Sequence, residues 1–319
     1  MITIKSPSRL HLTLIDMNAR LGRVDGGAGI SLASPHVLIS AEKSDTIEVV
    51  GDSFLAERML NAVKQILPEG EGISLKIEED MLAHVGFGSG TQAALSAAAA
   101  VNELYVLGMS VRELAIAVGR GGTSGIGVAS FEMGGFIVDG GHRFSDKGSF
   151  SPSSASRADP APVLFREDFP DWDIVLALPD TLGAHDAKEV NIFQQECPIP
   201  INEVQELSHI ILMKMMPAII EKDIESFGYC INHIQNIGFK KREVQLQHQA
   251  VRDVMTLMQD NGAYGAGMSS FGPAVYGIVD NNEDAAYLQE DVQELLDKTI
   301  GGRVIVTKAN NTGAEIRRV

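Results

Sequence analysis

Between His84 and Leu107 the chain reads HVGFGSGTQAALSAAAAVNELYVL, and the first part of this stretch can cradle an anion. Gly86, Gly88, Ser89, Gly90 and Thr91 make a loop with little side-chain bulk, where glycines permit positive φ and close approach of a ligand to the backbone. An alanine- and leucine-rich run follows at once and reads as a helix packed closely on its neighbours. The unpaired N–H groups and positive dipole end of such a helix attract phosphate. The spacing is neither the G-x-x-x-x-G-K-[ST] of a P-loop nor the G-x-G-x-x-G of a dinucleotide loop. A tight turn into a core helix explains the same residues without a ligand, and Thr91 suits a helix cap as well as a ligand contact.

Two further glycine-dense stretches accompany it. Gly119–Gly141, GRGGTSGIGVASFEMGGFIVDGG, carries Arg120, Ser124, Glu132 and Asp139, with His142 just beyond, and Gly262–Gly272, GAYGAGMSSFG, carries Gly267, Ser269 and Ser270. Arg9 and His11 lie two apart on one face of an N-terminal strand, followed by Asp16, Arg23 and Asp25. An arginine on a strand is often a surface salt-bridge partner, and an aspartate before two glycines is an ordinary turn residue. His185, Asp186, Lys188 and Glu189 follow a strand end, where loops often carry function. The methionines at 213, 215, 216, 255, 258 and 268 read as fillers of apolar gaps between helices.

The elements that must position these residues follow from periodicity. Met1–Ile15 alternates as a strand, with Arg9, His11 and Thr13 on one face and Leu10, Leu12 and Leu14 on the other. Leu21–Ser31 reads as a glycine-rich turn before a strand over Leu32–Ser40, with further strands at Ile47–Val50, Ile73–Ile77 and Phe136–Val138. Helices are expected over Phe54–Leu67 and Val111–Val118. The Ser-, Pro- and Ala-rich segment Ser145–Pro162 marks a loop or domain junction. Beyond it the pattern gives a buried strand at Asp173–Leu178, then helices over Val204–Glu221, Ile224–Ile237 and Val244–Gln259. Strands at Val275–Val279 and Val304–Thr307 flank a helix over Ala285–Lys298. Strands and helices mixed in two halves give an α+β protein.

The chain of 319 residues is long enough for two domains or one large α/β domain. A net charge of −16 argues against nucleic acid as a partner, while a local arginine cluster or a bridging Mg²⁺ still permits an anionic small ligand. Two cysteines, Cys197 and Cys230, are too few for a disulfide scaffold and fit a reduced interior. No signal peptide and no run of about 20 apolar residues is present, so a cytoplasmic enzyme with no membrane contact is expected, with a homodimer as the prior for its assembly.

The order and character of the three glycine loops resemble the GHMP kinase superfamily across nearly the whole chain. SPSRLHLTLID followed by VDGG corresponds to the first motif, GFGSGTQAA to the phosphate loop and GAYGAGMSSFG to the third. This resemblance implies an N-terminal domain over 1–156 with a left-handed βαβ crossover and a ferredoxin-like domain over 157–319. One departure stands out. Many of those kinases carry an aspartate base within the stretch equivalent to Thr123–Gly135, and here that position is Gly127. General-base help is commonly worth 10²–10⁴-fold.

Two longer blocks, SRLHLTLIDMNARLGRVDGGAGISL and GRGGTSGIGVASFEMGGFIVDGGH, closely resemble the archaeal β-ribofuranosylaminobenzene 5′-phosphate synthases of methanopterin biosynthesis. These have the same fold but join phosphoribosyl diphosphate to 4-aminobenzoate, or 4-hydroxybenzoate in some variants, releasing diphosphate and CO₂. The resemblance implies that Gly86, Gly88, Ser89, Gly90 and Thr91, with Mg²⁺, hold the leaving diphosphate. The second phosphate would go to Gly267, Ser269 and Ser270 or to Arg120 with Ser124. Arg9, His11 and Asp25 become the candidate catalytic residues, Arg9 and His11 as cationic holders of the acceptor carboxylate with Arg23 nearby. Asp16 and Asp25 could meet Mg²⁺ or the ribose. No strong base is needed, because the aromatic ring drives attack and loss of CO₂ restores it. An ATP-dependent small-molecule kinase and a non-catalytic phospho-ligand sensor are the competing readings.

Overall fold

The long N-terminal alternation becomes β1 (Ile2–Asp16), which pairs antiparallel with β2 (Arg23–Ser44). The computed structural model describes all residues except 83–84, 153–154, 157, 182–185 and 319, together with the backbone but not the side chains of 186–189. The segment read as a glycine-rich turn over Leu21–Ser31 is largely strand. A Cβ on Gly29 would stand 2.4 Å from Ile126, so the missing side chains let a helix sit directly on the hairpin rather than break it.

After β3 (Ile47–Val50), α1 (Ala56–Ile66) leads to β4 (Gly72–Glu79). β3 and β4 are parallel, with α1 as their crossover. Then come α2 (Ser89–Tyr105), α3 (Val111–Ala117), α4 (Ile126–Met133), β5 (Phe136–Asp139), β6 (His142–Arg143), α5 (Phe144–Lys147) and β7 (Val163–Glu167). α2 is buried from Gln92 to Val101, mostly alanine, which lets it lie close to the sheet on one side and α1 on the other. Its Ser96 hydroxyl donates to the Ser6 hydroxyl of β1 at 2.9 Å.

The second half begins with β8 (Asp173–Pro179), α6 (Asp186–Glu196) and α7 (Ile201–Ile210). A π-helical stretch, Ile211–Met215, joins α7 to α8 (Met216–Glu221), so the helix expected over Val204–Glu221 changes pitch where Pro217 lacks a donor. α9 (Ile224–Ile234), α10 (Gly238–Leu246) and α11 (Gln249–Asp260) follow, then β9 (Gly265–Met268), β10 (Val275–Val279), α12 (Asn282–Lys298), β11 (Gly302–Thr307) and β12 (Glu315–Arg318). The helix expected over Val244–Gln259 is two helices. Gln247 is extended (ψ 162) and His248 caps α11 through the Ala250 N–H.

The first sheet runs β12-β1-β2-β4-β3, with β5 and β6 added on β2 and β7 on β5; the second runs β11-β8-β10-β9. The second sheet is antiparallel throughout and its β–α–β–β–α–β order is ferredoxin-like, as the resemblance implies. β7 and β12 lie beyond residue 157 yet join the first sheet, so the chain returns there after the expected domain boundary. Phe136 of β5 meets Phe227 of α9 edge-on at 5.9 Å, and Phe227 contacts Phe169 and Trp172, tying the two halves through one aromatic cluster.

Candidate active site

The loop before α2 has the geometry of an anion cradle. Gly88 is the N-cap at φ 74 and no side chain caps the helix. The Thr91 and Gln92 N–H groups turn back to Gly88 O at 2.9 and 3.2 Å. Those of Ser89 and Gly90 have no partner among the described residues. The expected backbone cradle over Gly88–Thr91 is thus narrower, and the Thr91 amide is committed to the helix.

Arg9 and Ser269 fix the loop's other end. Arg9 Nη1 and Ser269 Oγ both donate to Gly86 O, the latter at 2.8 Å, and the Arg9 N–H donates to Phe87 O at 3.1 Å. A Cβ on Gly88 would lie 3.1 Å from Arg9 Nε, so the guanidinium rests against that glycine. Ser269 Oγ also accepts the His11 N–H at 3.0 Å, and the Ser270 N–H donates to His11 O at 3.1 Å. The structure therefore gathers Arg9, His11, Gly86, Gly88, Ser269 and Ser270. It corrects one expectation for them: Gly262–Gly272 is not an open anion turn. Its first part is β9, Gly267 faces the core against Gln235 and Tyr276, and the Ser269 hydroxyl is spent on bracing β1 to the phosphate loop.

Behind this brace lies a pair that the sequence conceals. Lys240 Nζ donates to Met268 O at 3.2 Å and sits 2.5 Å from Glu243 Oε2, with the residues 0% and 2% exposed. Burial lowers the Lys240 pKa and raises that of Glu243, while each charge opposes the shift of the other. In sequence, Lys240–Glu243 looks like a solvated charge run, and only the i, i+3 placement on one helix face hints at a shared environment. Lys240→Met is expected to cost about 3–5 kcal/mol, since it strands a buried carboxylate, and adding Glu243→Leu should recover most of that. Urea unfolding checks both; a cost below about 1 kcal/mol for the single change would contradict a desolvated pair.

A second polar cluster surrounds Gly27. A Cβ there would lie 3.0 Å from His11 Nε2, 3.3 Å from Asp139 Oδ2 and 3.4 Å from Ser124 Oγ. Both His11 ring nitrogens are buried with no hydrogen-bond partner among the described residues. Burial, then the Arg9 and Lys240 charges, hold the His11 pKa well below the usual histidine value. The ring is neutral at neutral pH, which corrects its expected role as a cation; Arg9 supplies the charge. Asp139 accepts from the Gly125 N–H at 3.0 Å and the Gly141 N–H at 2.9 Å, and burial pushes its pKa up to about 6 despite them.

That shift has a sign. A carboxyl whose pKa rises from 3.8 to about 6 on folding stabilises the fold fully below pH 3.8, and the contribution is lost as pH climbs through 6. The window is worth roughly 3 kcal/mol. Measured against Asp139→Asn, wild type should gain stability as pH falls from 6 to about 4; a pH-independent difference would mean that Asp139 titrates normally.

Asp25, Arg23 and Asp16 are engaged within the scaffold. Both Asp25 oxygens are taken by Lys147 Nζ, at 2.8 and 2.7 Å, and Oδ2 also faces His142 Nδ1 at 2.7 Å. Lys147 extends the network to Thr123 Oγ1 and Ser151 O, and His142 Nε2 to Gly121 O. Asp25, expected to be catalytic, is here a buried clamp between β2 and the second glycine stretch. Arg23 likewise donates to Gly140 O and Gly141 O. Asp16 Oδ1 accepts from the Asn18 and Ala19 N–H groups, which makes it a turn residue rather than a free metal ligand. Among the described residues no three His, Cys, Asp or Glu side chains cluster as a metal site. Ser124 donates to Asp139 and caps the Ile126 N–H, while Arg120 lies apart from it in a cavity beside α1. Glu132 is exposed. His185 and the side chains of Asp186, Lys188 and Glu189 lie outside the described residues.

Gly127, where the resemblance to the GHMP kinases leads one to expect a base, faces the phosphate loop: its Cβ would be 3.2 Å from Thr91 Cγ2. The Gln92 amide donates to Gly127 O at 2.8 Å. No helix of the described residues is long and apolar enough to cross a membrane.

Known proteins share the fold and much of the sequence. Residues 55–135 match the GHMP kinases N-terminal domain and residues 215–298 the GHMP kinases C-terminal family. A putative homoserine kinase from Listeria monocytogenes superposes with a TM-score of 0.68 over 100% of both chains at 18% identity, which speaks to fold. Beta-ribofuranosylphenol 5′-phosphate synthase of Archaeoglobus fulgidus is 46% identical over 99% of both chains. The protein of the same name from Methanothermobacter thermautotrophicus is 47% identical over 98% of both. Built on the GHMP kinase fold, the chain belongs to the family of the beta-ribofuranosylphenol 5′-phosphate synthases.

Proposed function

We propose that this chain is a decarboxylating C-ribosyltransferase that joins phosphoribosyl diphosphate to a 4-substituted benzoate. The observation that carries this reading is the likeness, over nearly the full length, to two synthases of one name. That name describes a phenol riboside, which favours 4-hydroxybenzoate over 4-aminobenzoate as acceptor. Gly127 supports it further. A kinase must take a proton from its substrate hydroxyl, and no carboxylate stands at this position over Thr91.

The anomeric C–O bond breaks and diphosphate leaves with the electron pair. The ring carbon bearing the carboxylate bonds to the anomeric carbon, and the pair from the breaking C–CO₂ bond restores the aromatic ring. The Ser89 and Gly90 N–H groups receive the leaving diphosphate, and Arg9, held against Gly86 and Gly88, adds positive charge there. Arg9 thus acts at the donor more than at the acceptor. His11, neutral and without a ring partner among the described residues, offers a hydrogen bond to the acceptor beside Gly27 and Ser124. Mg²⁺ belongs to the proposal as the diphosphate's counterion, with substrate oxygens as its main ligands, because the described residues make no cage for it. The enzyme is proposed to work in the cytoplasm as a homodimer, the prior for such enzymes.

The test is direct. With Mg²⁺, phosphoribosyl diphosphate and each benzoate in turn, diphosphate and CO₂ should appear in equal amounts, fastest with the hydroxy acid. ADP release from ATP with a small alcohol, and no CO₂, would replace this reading with a kinase. Phosphosugar binding without turnover would replace it with a sensor.

A further inference from the structure

Between α1 and α2 lies a cavity of about 380 Å³ whose lining includes Glu57, Arg58, Asn61, Gln65, Ala94 and Arg120. We propose that it holds the phosphomonoester end of the phosphosugar donor, with Arg58 and Arg120 on the phosphate and Glu57, Asn61 and Gln65 on the sugar hydroxyls. The identity of the donor rests on the transferase reading; the chemistry of the cavity does not.

Charge is the first argument. The chain has 42 acidic against 26 basic residues, yet neither arginine pairs with a carboxylate among the described residues. Arg120 Nε is buried with no hydrogen-bond partner there. A buried donor left in this state costs about 1–3 kcal/mol, which an anionic ligand relieves.

Position is the second. A Cβ on Gly90 would lie 2.6 Å from Arg58 Nη1, so the guanidinium rests on the second residue of α2. A cation at the positive end of a helix is unfavourable alone and favourable only with an anion between them. Gly90 is small so that Arg58 can reach this place.

Size and reach are the third. The volume suits a small ligand. The lining extends to Ala94, four residues beyond Gly90 and about 6 Å along the helix, so one molecule can keep its diphosphate at the loop and its other end in the cavity. The carboxylate and carboxamides beside the arginines match hydroxyls rather than an apolar ring. One aromatic, Phe54, stands 94% exposed at the rim.

Calorimetric titration with ribose 5-phosphate, diphosphate and adenosine monophosphate tests this on wild type, Arg58→Gln, Arg120→Gln and the double variant. Each single change should weaken ribose 5-phosphate at least 10-fold and the double at least 100-fold, with diphosphate unchanged within 2-fold in Arg120→Gln, because Arg58 also lies beside the cradle at Gly90. Arg58 is exposed, so its variant keeps the fold and the test stands even if Arg120→Gln does not. Unchanged ribose 5-phosphate binding by Arg58→Gln overturns the proposal. So does an equal loss of diphosphate in Arg120→Gln, or tighter nucleotide binding that Phe54→Ala abolishes. Ribose 5-phosphate binding lost in these variants, in a protein without transferase turnover, would keep this site and sink the reaction. Turnover with an unchanged donor KM in the double variant would do the reverse.

Discussion

Ser89→Asp is expected to abolish donor binding while leaving the fold at least as stable as wild type. Ser89 is the first residue of α2 and 7% exposed, in a first turn with no acidic residue and no side-chain cap. A carboxylate at a helix N-terminus is stabilising by about 0.3–1 kcal/mol, so the melting temperature should hold or rise slightly. The same charge meets the leaving diphosphate with opposite consequences. Two unit charges about 4 Å apart repel by about 4 kcal/mol at the effective dielectric of a protein surface, and diphosphate carries more than one. Affinity for diphosphate and for the donor should therefore fall at least about 10³-fold. Titration beside a thermal melt separates the two effects, and donor affinity within a few-fold of wild type would remove this loop from the site.

Arg9→Met should lower kcat/KM by about 10³-fold, a loss of roughly 4 kcal/mol of transition-state stabilisation. The guanidinium tethers Gly86 O, lies against Gly88 and brings positive charge to that side of the cradle. Arg9→Lys keeps the charge without the planar fork and should fall between the two. A second readout distinguishes loss of charge from mere loosening. The Arg9 charge helps to depress the pKa of His11, so without it that pKa moves up toward 6.5. The acid limb of the variant's pH–rate profile should shift to higher pH. A profile identical to wild type would place the two residues in separate environments.

The sequence disclosed the phosphate loop and the Arg9–His11 strand because glycine spacing and period-two alternation are local properties. Gly88 as a left-handed cap and the buried alanines of α2 follow from those residues alone. What the third glycine stretch does was not legible, since Ser269 serves as a brace only because β9 ends against β1 and the loop at once. Lys240 and Glu243 were hidden for the same reason: a charge run says nothing about which side of a helix faces inward. Asp25 and Arg23 lay in a block specific enough to suggest chemistry, yet their partners, Lys147, His142 and the Gly140–Gly141 carbonyls, come from more than a hundred residues away. Gly127 was informative in both views. Its missing side chain is visible in the sequence, and the structure adds what it would have faced.

The pairing of β12 with β1, from Ile2 against Arg318 to Lys5 against Glu315, sets an order of events during synthesis. The strand that carries Arg9 and His11 is made roughly three hundred residues before this partner, and its outer flank stays bare until Glu315–Arg318 leave the ribosome. Such distant partners slow folding and leave a nascent edge open to wrong neighbours. A chain clipped before Glu315 would keep every residue of the proposed centre yet expose that edge, so its failure would take the form of aggregation rather than faulty chemistry.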